Sequence, residues 1–416
     1  MKKYLQLLFT LTCIVNTSAQ QYNDPNFPAP ASGYGSNGSH TFVTESFTNP
    51  NFVGHPIKIY HPSDITIPVP TIFYSHAFGG TNPDNIAGVL EFIAKKGYAV
   101  VFVPYQTANA VTVTERYETL IAGFRLAAKN YPATIDTSKV GFLGHSFGGA
   151  ASFAIAHQLF SDGWGTKGRF IYALAQWYAY NLSADDLASF PPNTNVLFEI
   201  FNDDITNDHR MAIDIFNHIT VPADQKDFVL VSSSTVNGYT YIADHALPNI
   251  SAAYDALDYY AYYRLLDGLC DYTFNGNLNG KDTALGHGSI AQVTMPAGMG
   301  NLQQFNKPTT TYPQDRYTFP CDDEQNLRVA YCDATASINM IEHTKSFNIY
   351  PNPAHTVLNI KTASSSSVQI KIYNSIGQQT NYINTSGNSA IIDISYLQRG
   401  VYFISVNGVK EKFIKI

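Results

Sequence analysis

Charge is scarce in this chain. Only 14% of its 416 residues are Asp, Glu, Lys or Arg, and the formal net charge is −7. No basic run occurs after Lys2 and Lys3, so neither nucleic acid nor an anionic membrane surface is an expected partner. Long apolar runs are missing too. Tyr4–Val15 falls short of the ~20 residues that a helical span requires, and Ala99–Tyr105 is broken by Pro104. The mature chain is therefore expected to be soluble, with no membrane span. Cysteine occurs at four positions only, 13, 270, 321 and 332. None has a histidine at zinc-finger spacing, which argues against a zinc site. Cys321 and Cys332 would close a short loop and are the expected pair, leaving Cys270 as a buried thiol on a helix.

What is present in quantity is apolar and aromatic. Hydrophobic residues make up 45% of the chain and aromatics 13%, with 28 Tyr and 26 Phe, enough for a sizeable core. At this length one large domain and one smaller unit are expected. Residues 1–19 combine Lys2 and Lys3, an apolar stretch and the small residues Thr17-Ser18-Ala19, the pattern of a secretory signal peptide.

After a Pro-, Gly- and Asn-rich lead-in (Gln21–Ser39), strand-like runs cover Ile57–Tyr60, Thr71–Ser75, Ala99–Val103, Val140–Leu143, Ile171–Leu174, Val196–Ile200 and Phe228–Val231. Helical patterns lie between or after them, at Pro83–Lys96, Val113–Asn130, Phe147–Phe160, Asp208–His218 and Ser251–Gly268. Strands alternating with helices imply an α/β domain with a doubly wound, mostly parallel sheet. From Asn275 to Thr344 the rhythm is lost, and a loop-rich flank is expected. Beyond Phe347, short alternating strands at Val357–Lys361, Val368–Tyr373, Ala390–Ile394, Gly400–Val406 and Glu411–Ile416 predict a small all-β sandwich. The expected organisation is a signal peptide (1–19), a catalytic domain (20–335), a linker (336–346) and the sandwich (347–416).

The chemistry centres on Gly144-His145-Ser146-Phe147-Gly148, set between the apolar strand Val140–Leu143 and an Ala-rich helix. A sharp strand-turn-helix of this kind lifts a serine hydroxyl above the sheet and makes Ser146 a candidate nucleophile. A second glycine-containing loop, Ser75-His76-Ala77-Phe78-Gly79-Gly80, follows the strand Thr71–Tyr74. Its position suits an oxyanion hole made by the backbone N–H groups of Phe78 and Phe147. An acid is expected after a later strand, in Phe201-Asn202-Asp203-Asp204-Ile205. Asp203 is favoured because an apolar residue, Ile205, stands two positions after it, and Asp204 is the alternative. The base is expected at His245, in Ile242-Ala243-Asp244-His245-Ala246, ahead of the last helix. His209 and His287 are competitors less well placed in this order, and His76 and His145 are expected to be structural. The loop at Asn275–Gly280 lacks Asp at its first position and Glu at its twelfth, Gly286, so no calcium ion is expected there. No cofactor or metal is called for.

At these residues the chain resembles the cutinase and poly(ethylene terephthalate) hydrolase branch of the α/β hydrolases, and the related chlorophyllase-like esterases. The resemblance spans Pro56–Phe274 and includes Ala175-Gln176-Trp177 and Asp244-His245. It implies substrate contact by Trp177 and Phe78. Gln176 stands where that branch often has proline, and Ser232–Tyr241 lengthens the approach to His245. The tail, Phe347–Ile416, resembles the C-terminal sorting domain of the type IX secretion system of Bacteroidetes. The motifs are Tyr350-Pro351-Asn352-Pro353, Ile372-Tyr373-Asn374-Ser375-Ile376-Gly377 and Gly400-Val401-Tyr402-Phe403-Ile404. This implies export through that machinery, with the tail removed or used for surface attachment.

The expectation is thus a secreted serine carboxylic ester hydrolase, acting on cutin-like or aromatic polyesters or on smaller esters. The same residues would serve a secreted peptidase or an acyltransferase. A silent surface-binding module is the reading from another class.

Overall fold

Uninterrupted apolar strands demand cover on both faces, and the chain supplies it. The computed structural model describes residues 22–249, 253–309, 347–362, 367–374, 379–407 and 409–416, with isolated positions between 312 and 329. The expected signal peptide, the linker at 336–346, Cys332, the start of the last helix at 251–252 and the Ser375–Gly377 part of the tail motif lie outside the described residues. Two compact units are present, Met1–Tyr331 and Cys332–Ile416.

In the first unit the strands are β1 (Phe42–Phe47), β2 (Ile57–Pro62), β3 (Val69–Ser75), β4 (Ala99–Phe102), β5 (Ile135–His145), β6 (Gly168–Leu174), β7 (Thr194–Phe201), β8 (Lys226–Val231), β9 (Ser234–Val236), β10 (Tyr239–Tyr241) and β11 (Gln303–Gln304). The principal helices are α1 (Ala87–Lys95), α2 (Val113–Asn130), α3 (Phe147–Ser161), α4 (Ala184–Ala188), α5 (His209–His218) and α6 (Arg264–Asn275). Nine strands form one mixed sheet in the order β1-β2-β4-β3-β5-β6-β7-β8-β11. The six from β4 to β8 are parallel to one another, and the flanking β1, β2 and β11 run antiparallel to their neighbours.

Successive strand residues point to opposite faces, and the core divides accordingly. Tyr74, Leu143, Tyr172, Leu197 and Val229 face a core shared with α1 and α6, while Phe73, Phe142, Ile171, Phe198 and Phe228 face α2, α3 and α5. The edge strand β1 and the β9–β10 hairpin, like the short α4 and β11, match no element expected from the sequence. β1, β9 and β10 are short or half-exposed, so their apolar content is low. The expected helix at Ser251–Gly268 begins as a π-helical turn at Leu257–Tyr263 and continues as α6. Cys270, on α6, is a buried free thiol, and Cys321 is disulfide-bonded.

The sheet reverses direction at β3. The chain leaves β3 for α1 and β4 on one side, then crosses back through α2 to β5 and proceeds the other way. Loops after β3 and β5 therefore diverge to opposite faces and leave a crevice at the carboxyl ends of these neighbours, the usual place for a ligand in an open α/β sheet.

The second unit consists of two antiparallel sheets. One holds β12 (Phe347–Tyr350), β13 (Val357–Thr362) and β16 (Ser389–Asp393); the other holds β15 (Gln379–Ser386), β14 (Ser367–Asn374), β17 (Gly400–Val406) and β18 (Val409–Lys415). Leu358, Ile360, Ile370, Ile372, Ile404 and Phe413 contribute to its single core. Among the described residues no helix is long and apolar enough to cross a membrane.

Candidate active site

Ser146 stands at the turn between β5 and α3 with φ 57° and ψ −121°, a conformation an L-residue adopts only at a cost of ~1–3 kcal/mol. The surroundings enforce it. Its N–H donates to the Leu174 carbonyl (2.9 Å), and its own carbonyl accepts from Trp177 N–H (2.9 Å). The flanking glycines are needed because backbone passes too close for any side chain. A Cβ at Gly144 would meet the Gly148 carbonyl oxygen at 2.2 Å, and one at Gly148 would meet the Ser75 oxygen at 1.9 Å. The second contact brings the first turn of α3 against the end of β3. Phe147 is the first residue of α3, so its N–H has no acceptor within the helix.

His245 reaches Ser146: its Nε2 lies 3.0 Å from Ser146 Oγ. Its Nδ1 lies 2.8 Å from Asp204 Oδ2. The acid facing the histidine is Asp204, and the expectation of Asp203 is corrected. The reason is local. β7 ends at Phe201, and a tight turn closes with Asp204 N–H on the Phe201 carbonyl (3.2 Å), which sends the two adjacent carboxylates in different directions. Asp204 Oδ1 accepts from the N–H groups of Thr206 (2.8 Å) and Asn207 (2.9 Å). Burial pushes the Asp204 carboxyl up, but the His245 hydrogen bond and charge and these two amides outweigh it, and the group sits below the usual carboxylate range. An Asp whose side chain accepts amides two and three residues on is an Asx-type turn, and the turn-forming residues of Asp204-Ile205-Thr206-Asn207 are the sequence signal that could have identified it.

Asp203 has a different task. Its Oδ2 accepts from the Ser233 hydroxyl (2.6 Å), and Ser233 Oγ accepts from Ala243 N–H (2.8 Å). Asp203 N–H donates to the Ala243 carbonyl (3.0 Å). The carboxylate thus clamps the segment that presents His245.

The other histidines are distributed as follows. His76 is buried, stacks on Tyr105 at 3.9 Å, accepts from Tyr105 N–H at Nε2 (3.2 Å) and lies 2.7 Å from the Ala77 carbonyl at Nδ1. That pattern needs a neutral ring, and burial lowers its pKa to about 4. The imidazole therefore holds the Ser75–Gly80 loop in shape. His145 is buried beside His245, with ring centroids 4.7 Å apart, and its pKa is lowered to about 3, first by burial and then by the His245 charge. His209 is buried against the Phe201 carbonyl, and His287 lies near Asp227, so neither contacts Ser146. Among the described residues, no three His, Cys, Asp or Glu side chains converge as a metal ion would require.

Ser146 opens into a cleft of about 320 Å³ lined by Phe78, Val113, Arg116, Phe147, Trp177, Tyr180, Thr206 and Asn207. Both aromatics expected to contact a ligand, Phe78 and Trp177, are in this wall. Phe78 is 52% exposed, so its ring meets solvent across the cleft. Trp177 packs edge-on against Phe319 (5.2 Å). The Asn207 amide donates to the Ala175 carbonyl, which ties the acid loop to the loop bearing Trp177. Part of the flank expected at Asn275–Thr344 also reaches this region: the Tyr312 hydroxyl and Arg316 donate to the Asn202 carbonyl. Arg116, Tyr180, Asn207 and Ser233 carry no motif, and their place here follows only from the fold.

The family model of the secretion system C-terminal sorting domain matches residues 348–416. No curated protein matches the chain. The tail is a type IX secretion sorting domain, and the protein is secreted or held at the cell surface.

Proposed function

We propose that this exported protein is a serine hydrolase that cleaves carboxylic esters outside the cell. The observation that carries the reading is the continuous relay from Ser146 Oγ to His245 Nε2 (3.0 Å) and from His245 Nδ1 to Asp204 Oδ2 (2.8 Å). It stands at the floor of an apolar cleft, on a glycine-flanked turn. The strand order, with its reversal at β3, supports an α/β-hydrolase architecture.

In the mechanism, His245 Nε2 takes the Ser146 proton as the oxygen attacks the ester carbon. Asp204 accepts the Nδ1–H, which fixes the tautomer with Nε2 free to act as base and stabilises the imidazolium that forms. The negative charge on the former carbonyl oxygen falls to the amides of Phe147, at the amino end of α3, and Phe78. His245 then protonates the leaving alcohol. Water, activated by the same ring, releases the acyl group and restores Ser146. Trp177 and Phe78 flank the cleft and support substrates with an aromatic or apolar acyl part, polyesters of the cutin or aromatic type among them.

A fluorophosphonate probe tests the reading. It is expected to label Ser146 in the purified protein and to leave Ser146→Ala unlabelled; a wild-type protein that does not react would remove the hydrolase reading. Kinetics on matched esters and amides then separate esterase from peptidase, an added alcohol acceptor reports acyl transfer, and unchanged function in Ser146→Ala would favour a binding module. Release of soluble acids from a polyester film, compared with turnover of small esters, decides the polymer question.

A further inference from the structure

Among the described residues that line the cleft holding Ser146, one is a cation. Arg116, on the first turns of α2, is buried, with Nε donating to the Gln106 carbonyl and Nη2 to the Ala108 carbonyl, each at 3.0 Å. A guanidinium carries five N–H donors, and these bonds use two. Neither acceptor is charged. Among the described residues Arg116 has no carboxylate at ion-pair distance, and the adjacent Glu115 is turned to the Thr112 amide and hydroxyl. Nη1 has no protein partner among the described residues, yet it is not one of the buried unpartnered atoms, so it is open to solvent. The guanidinium lies over the rings of Phe78 (5.1 Å) and Phe147 (5.9 Å), the two residues proposed to bind the oxyanion.

A largely buried, backbone-anchored positive charge with no carboxylate at ion-pair distance among the described residues, in a wall that is mostly apolar, is stabilised when an anion completes it. Because Arg is planar and held by two carbonyls, its remaining donors are pre-organised for a carboxylate, and little side-chain freedom is lost on binding. A volume of about 320 Å³ walled by Phe78, Trp177, Phe147 and Tyr180 suits one flat apolar group.

Resting on the hydrolase reading above, we infer that the cleft selects esters whose bound half is a flat apolar group carrying a free carboxylate, with Arg116 as the residue that recognises it. Half-esters of aromatic dicarboxylic acids are the substrate class. Neutral diesters lack the anion and leave the guanidinium unpaired.

The test compares the monoethyl and diethyl esters of an aromatic dicarboxylic acid. Wild type is expected to prefer the half-ester in kcat/KM by about ten- to a hundredfold, the worth of a charge-assisted hydrogen bond. The ratio is expected to collapse toward one in Arg116→Gln, chiefly through KM, and to be partly restored in Arg116→Lys. In wild type, the half-ester KM is expected to rise with salt. Equal use of both esters, or a ratio unchanged in Arg116→Gln, overturns the inference. Since Arg116 also anchors the Gln106–Ala108 loop, a second measurement avoids the variants and turnover altogether. Titration calorimetry on Ser146→Ala is expected to show salt-sensitive binding of benzoate and at least tenfold weaker binding of benzamide. Equal binding of the two, or of neither, defeats the inference even if the fluorophosphonate labels Ser146. If labelling fails while benzoate binds selectively, the anion site stands and the hydrolase reading falls.

Discussion

At the scale of single residues, two neighbouring aspartates with the same chemistry have been given separate tasks by one turn. Asp204 faces His245, while Asp203 holds Ser233 and through it the Ala243 amide. On the proposed mechanism, Asp204→Asn would leave the imidazole without its orienting acceptor, and kcat for a soluble ester is expected to fall about ten-thousandfold. Asp203→Ala loosens the segment before His245 but leaves the relay chemically intact, so a loss of about tenfold or less is expected. Steady-state kinetics on the two variants checks the assignment, and a larger loss from Asp203→Ala would reverse it. The sequence brought the choice down to these two positions. It could not go further, because which way a side chain leaves a turn depends on the hydrogen bond that closes the turn.

Among the elements, the carboxyl ends of the parallel strands concentrate buried groups that titrate. His76 follows β3 and His145 ends β5, both held neutral by burial, with pKa lowered from 6.5 to about 4 and about 3. The unfolded chain binds these protons first, so their contribution to stability is complete above pH 6.5 and is lost as pH falls toward those lower values. Glu199 on β7 acts with opposite sign. Burial raises its pKa from 4.5 to about 7, so the folded chain binds that proton first and stability gains as pH falls from 7 to 4.5. Thermal unfolding followed between pH 7 and 4.5 is expected to separate them. Glu199→Gln should steepen the loss on acidification, and His76→Gln should flatten it. Identical slopes in wild type and both variants would mean that the His76 ring and the Glu199 carboxyl titrate alike in the folded and unfolded states.

These same strands were the most legible part of the chain. Each run of apolar residues from Ile57 to Val231 is a strand, because burial on both faces leaves few polar positions, such as Lys58 and Glu199, to confuse the pattern. Edges and hairpins such as β1 and β9–β10 are only half-covered and carry no such signature. The start of α6 as a π-helical turn is likewise invisible in a pattern of tyrosines that fits several helical periods.

For the molecule as a whole, the two units have separate hydrophobic cores, two layers about the nine-stranded sheet and one between the small sheets of the tail. Removing residues 348–416 is therefore expected to leave the first unit folded, with its thermal midpoint unchanged and, on the proposed function, its rate on soluble esters within about twofold of the full chain, since independent units contribute additively. Export is expected to be lost. Cell fractionation and ester assays on the truncated protein test both, and a truncated chain that still leaves the cell would show that the sorting signal lies elsewhere.

What the sequence determined alone is what depends on local pattern. The glycine-flanked Ser146 turn, the parallel strands that frame it, the His245 segment and the sorting tail are each written in contiguous residues, where spacing and backbone sterics leave few alternatives. The tertiary structure decided what depends on convergence. Asp204 rather than Asp203 meets the histidine, Asn207 and Arg116 line the cleft, and Ser233 bridges Asp203 to Ala243, although tens of residues separate them from Ser146. Those contacts arise only when the parallel strands from β4 to β8 lie side by side and bring the segments that follow them together at one end of the sheet, a relation between strands that no single stretch of the chain encodes.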